Sequence, residues 1–454
     1  MSSIGDIEKL AGDYEKRIQK LKQLERELEV LNTNGLESEV AEIQKHIKDP
    51  KSLEKVEGDI KDLKIKIVER RKTSDVKDSE KEKSSRDEAP THYPPTFTTR
   101  FPYELTPYYD NPALIGKGGF ARVFRANRKK DNEEIAIKIP LSMDRAIGKS
   151  FVKELENWTK LKHQNIVEIY DYNVLPIPYF EMELCDSCLE TMAKPTDIEK
   201  ATWIIFNTAE GLKHAHNKKI AHRDMKPQNI LLKNGVPKIS DWGLSKLTAE
   251  SKTSTMAAFS PVYAAPEHIS KKFGAKDEQT DIWQLGVIFY ELVTGKLPFE
   301  GDDITEISFK IINEDLVLPS EVNIDAAKVD SAIKKCLQKE KSKRYKDIEK
   351  LQKDLAEVLN IEYKCLLKES TDVKNLSKSA YFCGELVTVN LKIGEVKDAY
   401  KYASSMLTYA DDEIKDELEN LCKQLEAVIE NKLDVNEQLI EKADIIMHKV
   451  RLGK

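Results

Sequence analysis

Apolar residues fall three and four apart from Ile7 through Leu10, Tyr14, Leu21, Leu24, Leu28 and Leu31, interrupted only at Arg17, so the chain opens on the seam of an amphipathic helix. Asn32-Thr33-Asn34-Gly35 is a turn-forming cluster that stops it, and the spacing resumes at Leu36, Val40, Ile43 and Ile47. Pro50 interrupts again before Leu53, Val56, Ile60, Leu63 and Ile67 carry the pattern to about Arg71. Residues 1–71 therefore read as a helical hairpin or a self-associating coiled coil, able to form a homodimer or bind a partner helix; two helices folded back on the rest of the chain satisfy the same pattern. From Lys72 to Ala89 only Val76 and Ala89 are apolar among five basic and six acidic side chains. Such a segment cannot offset its chain entropy by burial, and with the Tyr- and Pro-rich stretch after Pro90 it makes 72–102 a linker.

Between 103 and 359 the pattern changes. Short β-branched runs such as Glu134-Ile135-Ala136-Ile137-Lys138-Ile139 come first and longer helical periods follow, which predicts a small sheet-rich lobe ahead of a larger helical one. Residues 360–454 are helical again, and Leu391 to Leu407 resembles the second half of a tetratricopeptide-type helix pair. One such unit does not make a solenoid, so a small helical bundle docked on its neighbour is the more conservative expectation.

Composition narrows the class. The 454 residues are 40% hydrophobic and 33% charged, enough for substantial cores under a heavily charged surface. Lys and Arg (73) nearly balance Asp and Glu (79), for a net charge of −6, so a dedicated nucleic-acid binder is not expected. No apolar run approaches the roughly 18 residues of a membrane-spanning helix, and the N-terminus lacks a basic stretch leading into an apolar one. A cytoplasmic, reducing setting follows, since six dispersed cysteines form no disulfide framework. Cys185-Asp186-Ser187-Cys188 has C-x-x-C spacing, but no second such pair or histidine pair accompanies it, which argues against a metal.

The chemistry-bearing residues come in a fixed order. Ile115-Gly116-Lys117-Gly118-Gly119-Phe120-Ala121-Arg122-Val123 is a glycine-rich turn between two strands, where backbone N–H groups can approach phosphate oxygens. Fifteen residues past Val123, Lys138 ends Ile135-Ala136-Ile137-Lys138 and can hold phosphates from the neighbouring strand. The helix-like run from Phe151 to Leu161 offers a carboxylate to fix that lysine. His222-Arg223-Asp224-Met225-Lys226-Pro227-Gln228-Asn229 follows, and twelve residues after Asn229 comes Asp241-Trp242-Gly243; these are hard oxygen donors of the kind Mg²⁺ prefers.

Together with Ala265-Pro266-Glu267, Asp281-Ile282-Trp283-Gln284-Leu285-Gly286 and Arg344, this series resembles the protein kinase family, specifically the eukaryotic-type Ser/Thr kinases, over about Tyr109 to Leu355. The resemblance implies an α+β, two-lobed kinase fold with all-α extensions at both ends. It implies ATP and Mg²⁺, or Mn²⁺ in its place, as cofactors, and protein substrates. It also assigns roles: Asp224 accepts the substrate hydroxyl's proton, Asn229 and Asp241 hold the metal, Lys138 pairs with phosphates, and Glu154 orients Lys138, with Glu156 as its alternative. Lys226 would reach the transferred phosphate, and Ser260 would contact Asp224 and Lys226. Met182, the Glu183 carbonyl and the Cys185 backbone would meet adenine, with Val123, Ala136 and Leu231 as its apolar slot.

The resemblance further pairs Glu267 with Arg344 in a buried brace, where loss of one partner costs about 3–5 kcal/mol. Arg223 implies control by an anionic partner, for which Thr253, Ser254 and Thr255 are the autophosphorylation candidates. Two departures stand out. Ala121 replaces the third glycine, which implies a stiffer loop rather than a dead one. Trp242 replaces the usual phenylalanine and should pack near His222 and Trp158. A nucleotide-binding pseudokinase scaffold is the competing expectation, and the intact Lys138, Asp224, Asn229 and Asp241 argue against it. A small-molecule kinase of related fold would lack the elements around Glu267 and Asp281.

Overall fold

The computed structural model describes residues 100–118, 121–141, 155–173, 177–242 and 261–451, with Lys20, Ile43, Lys55, Val56 and Asp59. The helical pattern of 1–71 beyond those five residues, the linker from 72 to 99, and Gly119, Phe120, Glu154, Thr253, Ser254, Thr255 and Ser260 lie outside the described residues. The chain divides into two compact units, one running to Glu156 and including Ile169–Leu184, the other comprising Asn157–Glu168 and Cys185–Lys454.

The first unit is built on a five-stranded antiparallel sheet. Its strands are β1 (Tyr109–Lys117), β2 (Ala121–Arg128), β3 (Glu133–Pro140), β4 (Ile169–Asn173) and β5 (Tyr179–Met182), in the order β1-β2-β3-β5-β4. Period-two alternation separates its two faces. Phe124, Ala126, Ile135, Ile137, Ile139 and Tyr179 form a core with Phe101, Leu105 and Tyr109. Phe101 lies edge-on to Phe124 at 5.1 Å, so the core begins two residues before the sequence-based start at 103.

The second unit opens β6 (Ser187–Cys188), β7 (Ile230–Lys233) and β8 (Val236–Ile239) as a small antiparallel sheet. Its longer helices are α1 (Ile198–Asn217), α2 (Glu278–Thr294), α3 (Ile304–Asn313), α4 (Ile348–Asp372), α5 (Leu376–Lys392), α6 (Val396–Met406), α7 (Asp412–Glu430) and α8 (Glu437–Arg451). Asp197 caps α1 through the amides of Glu199 and Lys200. Gly295 ends α2 at φ 72°, where a Cβ would stand 2.9 Å from Pro195. α2 is buried on nearly every side, with Ile282, Trp283, Leu285, Val287, Ile288, Phe289 and Leu292 in the core, so it forms the centre of the unit.

Glu267 and Arg344 meet as expected, in two parallel bonds of 2.8 Å with both side chains sealed from solvent. Arg344 also lies 5.0 Å over the Trp283 ring. α4 carries a stripe of Leu351, Leu355, Leu359 and Tyr363 and continues unbroken through the 359/360 position expected as a domain boundary. It packs on α1, and α5 packs in turn against α4, α6 and α8. No described helix is long and apolar enough to cross a membrane.

His163 and His268 are held neutral by burial, at about 3 and about 4. The His268 Nδ1 accepts from the Ala265 amide at 3.0 Å, which needs the unprotonated ring. Both folded values lie below the unfolded value of 6.5, so the stabilisation is complete above pH 6.5 and is lost as pH falls towards the folded values. Each ring should remove about 2 kcal/mol of stability between pH 7 and pH 5. Urea denaturation of His268→Gln should show a correspondingly shallower acid slope than the unaltered protein, and an identical slope would refute the assignment.

Candidate functional site

The residues singled out from sequence fall into two groups, one in each unit. In the sheet, strand register lines them up. Val123 faces Lys138 across β2 and β3, Lys138 faces Phe180 on β5, and Ala136 faces Met182. These five residues share the face opposite the Phe124–Ile137 core, because side chains two apart point the same way. Lys138 is buried, with its Nζ 5.7 Å from the centre of the Phe180 ring. Gly116 pairs with Val123 and Lys117 with Arg122, and the Gly118 amide donates to the Ala121 carbonyl at 2.9 Å, closing the mouth of the glycine-rich turn. Ile115 is exposed, and Glu183 is buried just beyond β5.

Behind this row is a network that sequence reading missed. Glu181, on the opposite face of β5, accepts from Tyr109 Oη and from Arg128, each at 2.6 Å. Arg128 also holds Asp131 and Glu133. Burial and the Glu181 carboxylate push the Tyr109 hydroxyl far above its ordinary range, so it remains a donor. The network ties β5 to β1 and β2 and thereby fixes Met182.

In the second unit the loop from Ile220 to Asn229 carries the other group. Lys226 Nζ lies 3.0 Å from Asp224 Oδ2. Asn229 Nδ2 donates to the Asp224 carbonyl at 2.8 Å, so its Oδ1 is the amide atom left to meet a cation. The Asn229 carbonyl accepts from the Ser240 amide at 2.9 Å, which ties the loop to the residue before Asp241. The bond places Asn229 against the residue next to Asp241, and an amide oxygen and a carboxylate are hard donors of the kind that fits Mg²⁺ or Mn²⁺. Leu231 is half-buried on β7, pairing with Cys188, and Cys185 is half-buried just before β6.

What holds this loop is Asp281, quoted from sequence only as part of a motif. Its carboxylate is fully buried and accepts from the His222 amide (2.8 Å), the Arg223 amide (2.5 Å) and His216 Nε2 (2.8 Å). Burial alone would raise its pKa; the His216 hydrogen bond and the nearby ring and amide donors outweigh that and hold it lowered. Gln284, one turn on, accepts from the Met225 amide at 3.0 Å. Arg223 (φ 65°) and Asp241 (φ 64°) both adopt the left-handed region, a cost that such clamps must cover.

His222 Nε2 donates to the Ser240 carbonyl at 2.8 Å, and its ring meets Trp242 edge-on at 4.9 Å, the pairing expected for the substituted tryptophan. Trp158 is buried in the same unit and donates to the Val167 carbonyl at 2.6 Å. Among the described residues the buried Arg223 Nε has no hydrogen-bond partner. Lys276 is lowered by burial and by the Arg223 charge, so the two cations stand close together.

The family model for the protein kinase domain matches residues 109–357. The chain is 30% identical over 275 residues to serine/threonine-protein kinase PknB of Mycolicibacterium smegmatis, covering 57% of this chain and 44% of that protein. It is 31% identical over 269 residues to a probable serine/threonine-protein kinase PknB of Corynebacterium glutamicum (54% and 41%). Against PknB of Mycobacterium tuberculosis it is 27% identical over 303 residues (63% and 48%). The match therefore spans less than half the length of each of these relatives.

Asp281→Asn keeps the size of the side chain but turns an NH₂ towards N–H donors. For the kinase activity that the sequence leads one to expect, it should lower phosphoryl transfer about 100-fold by misplacing the Asp224 loop, and destabilise the unit by about 1–3 kcal/mol. Steady-state kinetics beside urea denaturation would show both; unchanged turnover would remove Asp281 from the site.

Proposed function

This chain belongs to the protein kinase domain family, and from that premise we propose that it is a protein serine/threonine kinase, transferring the γ-phosphate of ATP to Ser or Thr hydroxyls of protein substrates. The observation that carries the reading is the cluster of Asp224, Lys226 and Asn229 on one loop, tied by the Ser240 amide to Asp241. In this reading Asp224 takes the proton of the attacking hydroxyl, and Lys226, held 3.0 Å from it, steadies the carboxylate and the transferred phosphate. Lys138 holds the nucleotide phosphates, with Glu154 as its orienting partner; Val123, Ala136, Met182 and Glu183 of the sheet unit are adenine contacts, to which the kinase resemblance adds Cys185 and Leu231. Asn229 and Asp241 hold Mg²⁺, which when bound neutralises charge on the phosphate oxygens.

The serine/threonine preference rests on Lys226, on Ser260 and on the names of the relatives. Arg223, with its unpartnered Nε beside Lys276, supports regulation by an anion, for which phosphorylated Thr253, Ser254 or Thr255 is the proposed source. A cytoplasmic location is part of the same proposal; all six cysteines are free thiols.

Incubated with ATP, Mg²⁺ and a basic protein, the purified chain should label Ser and Thr of the substrate and modify its own 253–255 segment. Asp241→Ala should abolish both. Nucleotide binding without transfer by the unaltered chain would favour the scaffold reading, and mass spectrometry finding 253–255 unmodified would remove the regulatory part.

Residues 1–71 are proposed to self-associate or bind a partner helix, which would raise the local concentration of catalytic domains to about the millimolar range expected for short tethers. A chain lacking residues 1–89 should then run as a smaller assembly in light scattering and autophosphorylate more slowly. No change in either would exclude the idea.

A further inference from the structure

The helices beyond residue 372 meet the rest of their unit through a buried polar chain that leads towards Asp241. Lys392, at the end of α5, has 2% of its side chain exposed. Its Nζ donates to Asn207 Oδ1 on α1 at 2.9 Å and lies 3.2 Å from Asp444 Oδ2 on α8. The same Asp444 oxygen accepts from Gln164 Nε2. Lys392 at such depth needs a carboxylate, and Asp444 supplies it.

Gln164 precedes the residue that clamps β8. The Asn165 carbonyl accepts from the Ile239 amide at 2.9 Å, Asn165 Nδ2 donates to the Pro237 carbonyl at 2.9 Å, and the Val167 amide donates to the Ile239 carbonyl at 3.0 Å. Gly211 on α1 permits this arrangement, since a Cβ there would stand 2.7 Å from the Asn165 carbonyl. Two residues beyond Ile239 lies Asp241, whose left-handed backbone persists only while its flanks are over-determined.

We propose that Asp444 and Gln164 are positioning residues for Asp241: the C-terminal helices fix the segment 163–167, and through it the end of β8, so that docking of these helices sets the geometry of the metal-holding carboxylate. The inference rests on the reading of Asp241 as a metal ligand. It makes the C-terminal bundle part of the catalytic apparatus rather than an appended module. A contact that merely glued the bundle to its unit would not single out β8, and α1 carries such a contact for comparison: Trp203 Nε1 donates to Glu385 of α5 at 3.1 Å, away from the 163–167 segment.

The test uses the full chain. Gln164→Met cuts the link to the segment while leaving Lys392, Asp444 and Asn207 together; Asp444→Asn removes the charge that Lys392 and Gln164 share. In both, amide hydrogen exchange of residues 236–242 in the nucleotide-free protein should quicken by roughly threefold to tenfold. The Mg²⁺ concentration for half-maximal transfer should rise by a similar factor with the KM for the protein substrate unchanged. Trp203→Phe should alter neither. An unchanged Mg²⁺ requirement in Gln164→Met and Asp444→Asn overturns the inference, as does an equal response in Trp203→Phe. Asp241→Asn separates the premise: if that variant keeps the Mg²⁺ requirement of the unaltered chain, the metal reading itself fails, whereas a sensitive Asp241→Asn beside an insensitive Gln164→Met defeats the positioning inference alone.

Discussion

The Asp281 carboxylate lies with no solvent access in the centre of the helical unit, and a buried charge there is tolerable only because three donors converge on it. Two are backbone amides of the loop that carries Asp224, and the third is His216 at the end of α1. An irregular loop has no ladder of its own to satisfy its amides, so its shape must be imposed from outside. α2 does this repeatedly: Asp281 takes the amides of His222 and Arg223, Gln284 takes that of Met225, and Thr280 donates to Glu267. Trp283 on the same helix lies under Arg344, the partner of Glu267. A helix that is otherwise apolar thus carries a few polar side chains, each committed to holding a segment that cannot hold itself.

The sheet unit solves a similar problem with Glu181. Its carboxylate sits on the core face of β5, and the donors that satisfy it come from β1 and β2. The opposite face of β5 presents Phe180 and Met182 beside Lys138 and Ala136. Because successive residues alternate between faces, anchoring Glu181 on one side fixes the register of Met182 on the other. In both units the residues proposed to meet substrate are short-range motifs, and the residues that place them are buried polar groups contributed from far along the chain.

That difference explains what the sequence disclosed. The run from His222 to Asn229, Asp241 and the glycine-rich turn were legible because their chemistry depends on local spacing, and the strand carrying Lys138 was legible as a short β-branched run. The Glu267–Arg344 pair came through resemblance, not from spacing. Tyr109, Arg128 and Glu181 left no such mark: the bonds to Glu181 join residues 72 and 53 positions apart. Asp281 was visible as a motif letter, but its function as an acceptor for three donors appears only once α1, α2 and the loop are packed together.

The C-terminal helices carry the same lesson further. Helical periodicity in 376–451 reports that apolar stripes exist but not which neighbour covers them, and Lys392, in a stretch reading Leu-Lys-Ile-Gly, has the pattern of a surface lysine. Its burial follows from three surroundings that periodicity cannot convey: Asn207 on α1, Asp444 on α8, and the crowding of α5 between α4, α6 and α8. A lysine is retained at such a depth only where its charge has a fixed partner, and here that partner also accepts from Gln164, 280 positions earlier in the chain. Removing the lysine would leave Asp444 short of its cation, and removing Asp444 would leave Lys392 buried with one neutral acceptor, so the two constrain each other and together hold Gln164. The 163–167 segment and the C-terminal bundle are joined by a polar contact that neither could satisfy alone, and their folding is a single problem rather than two.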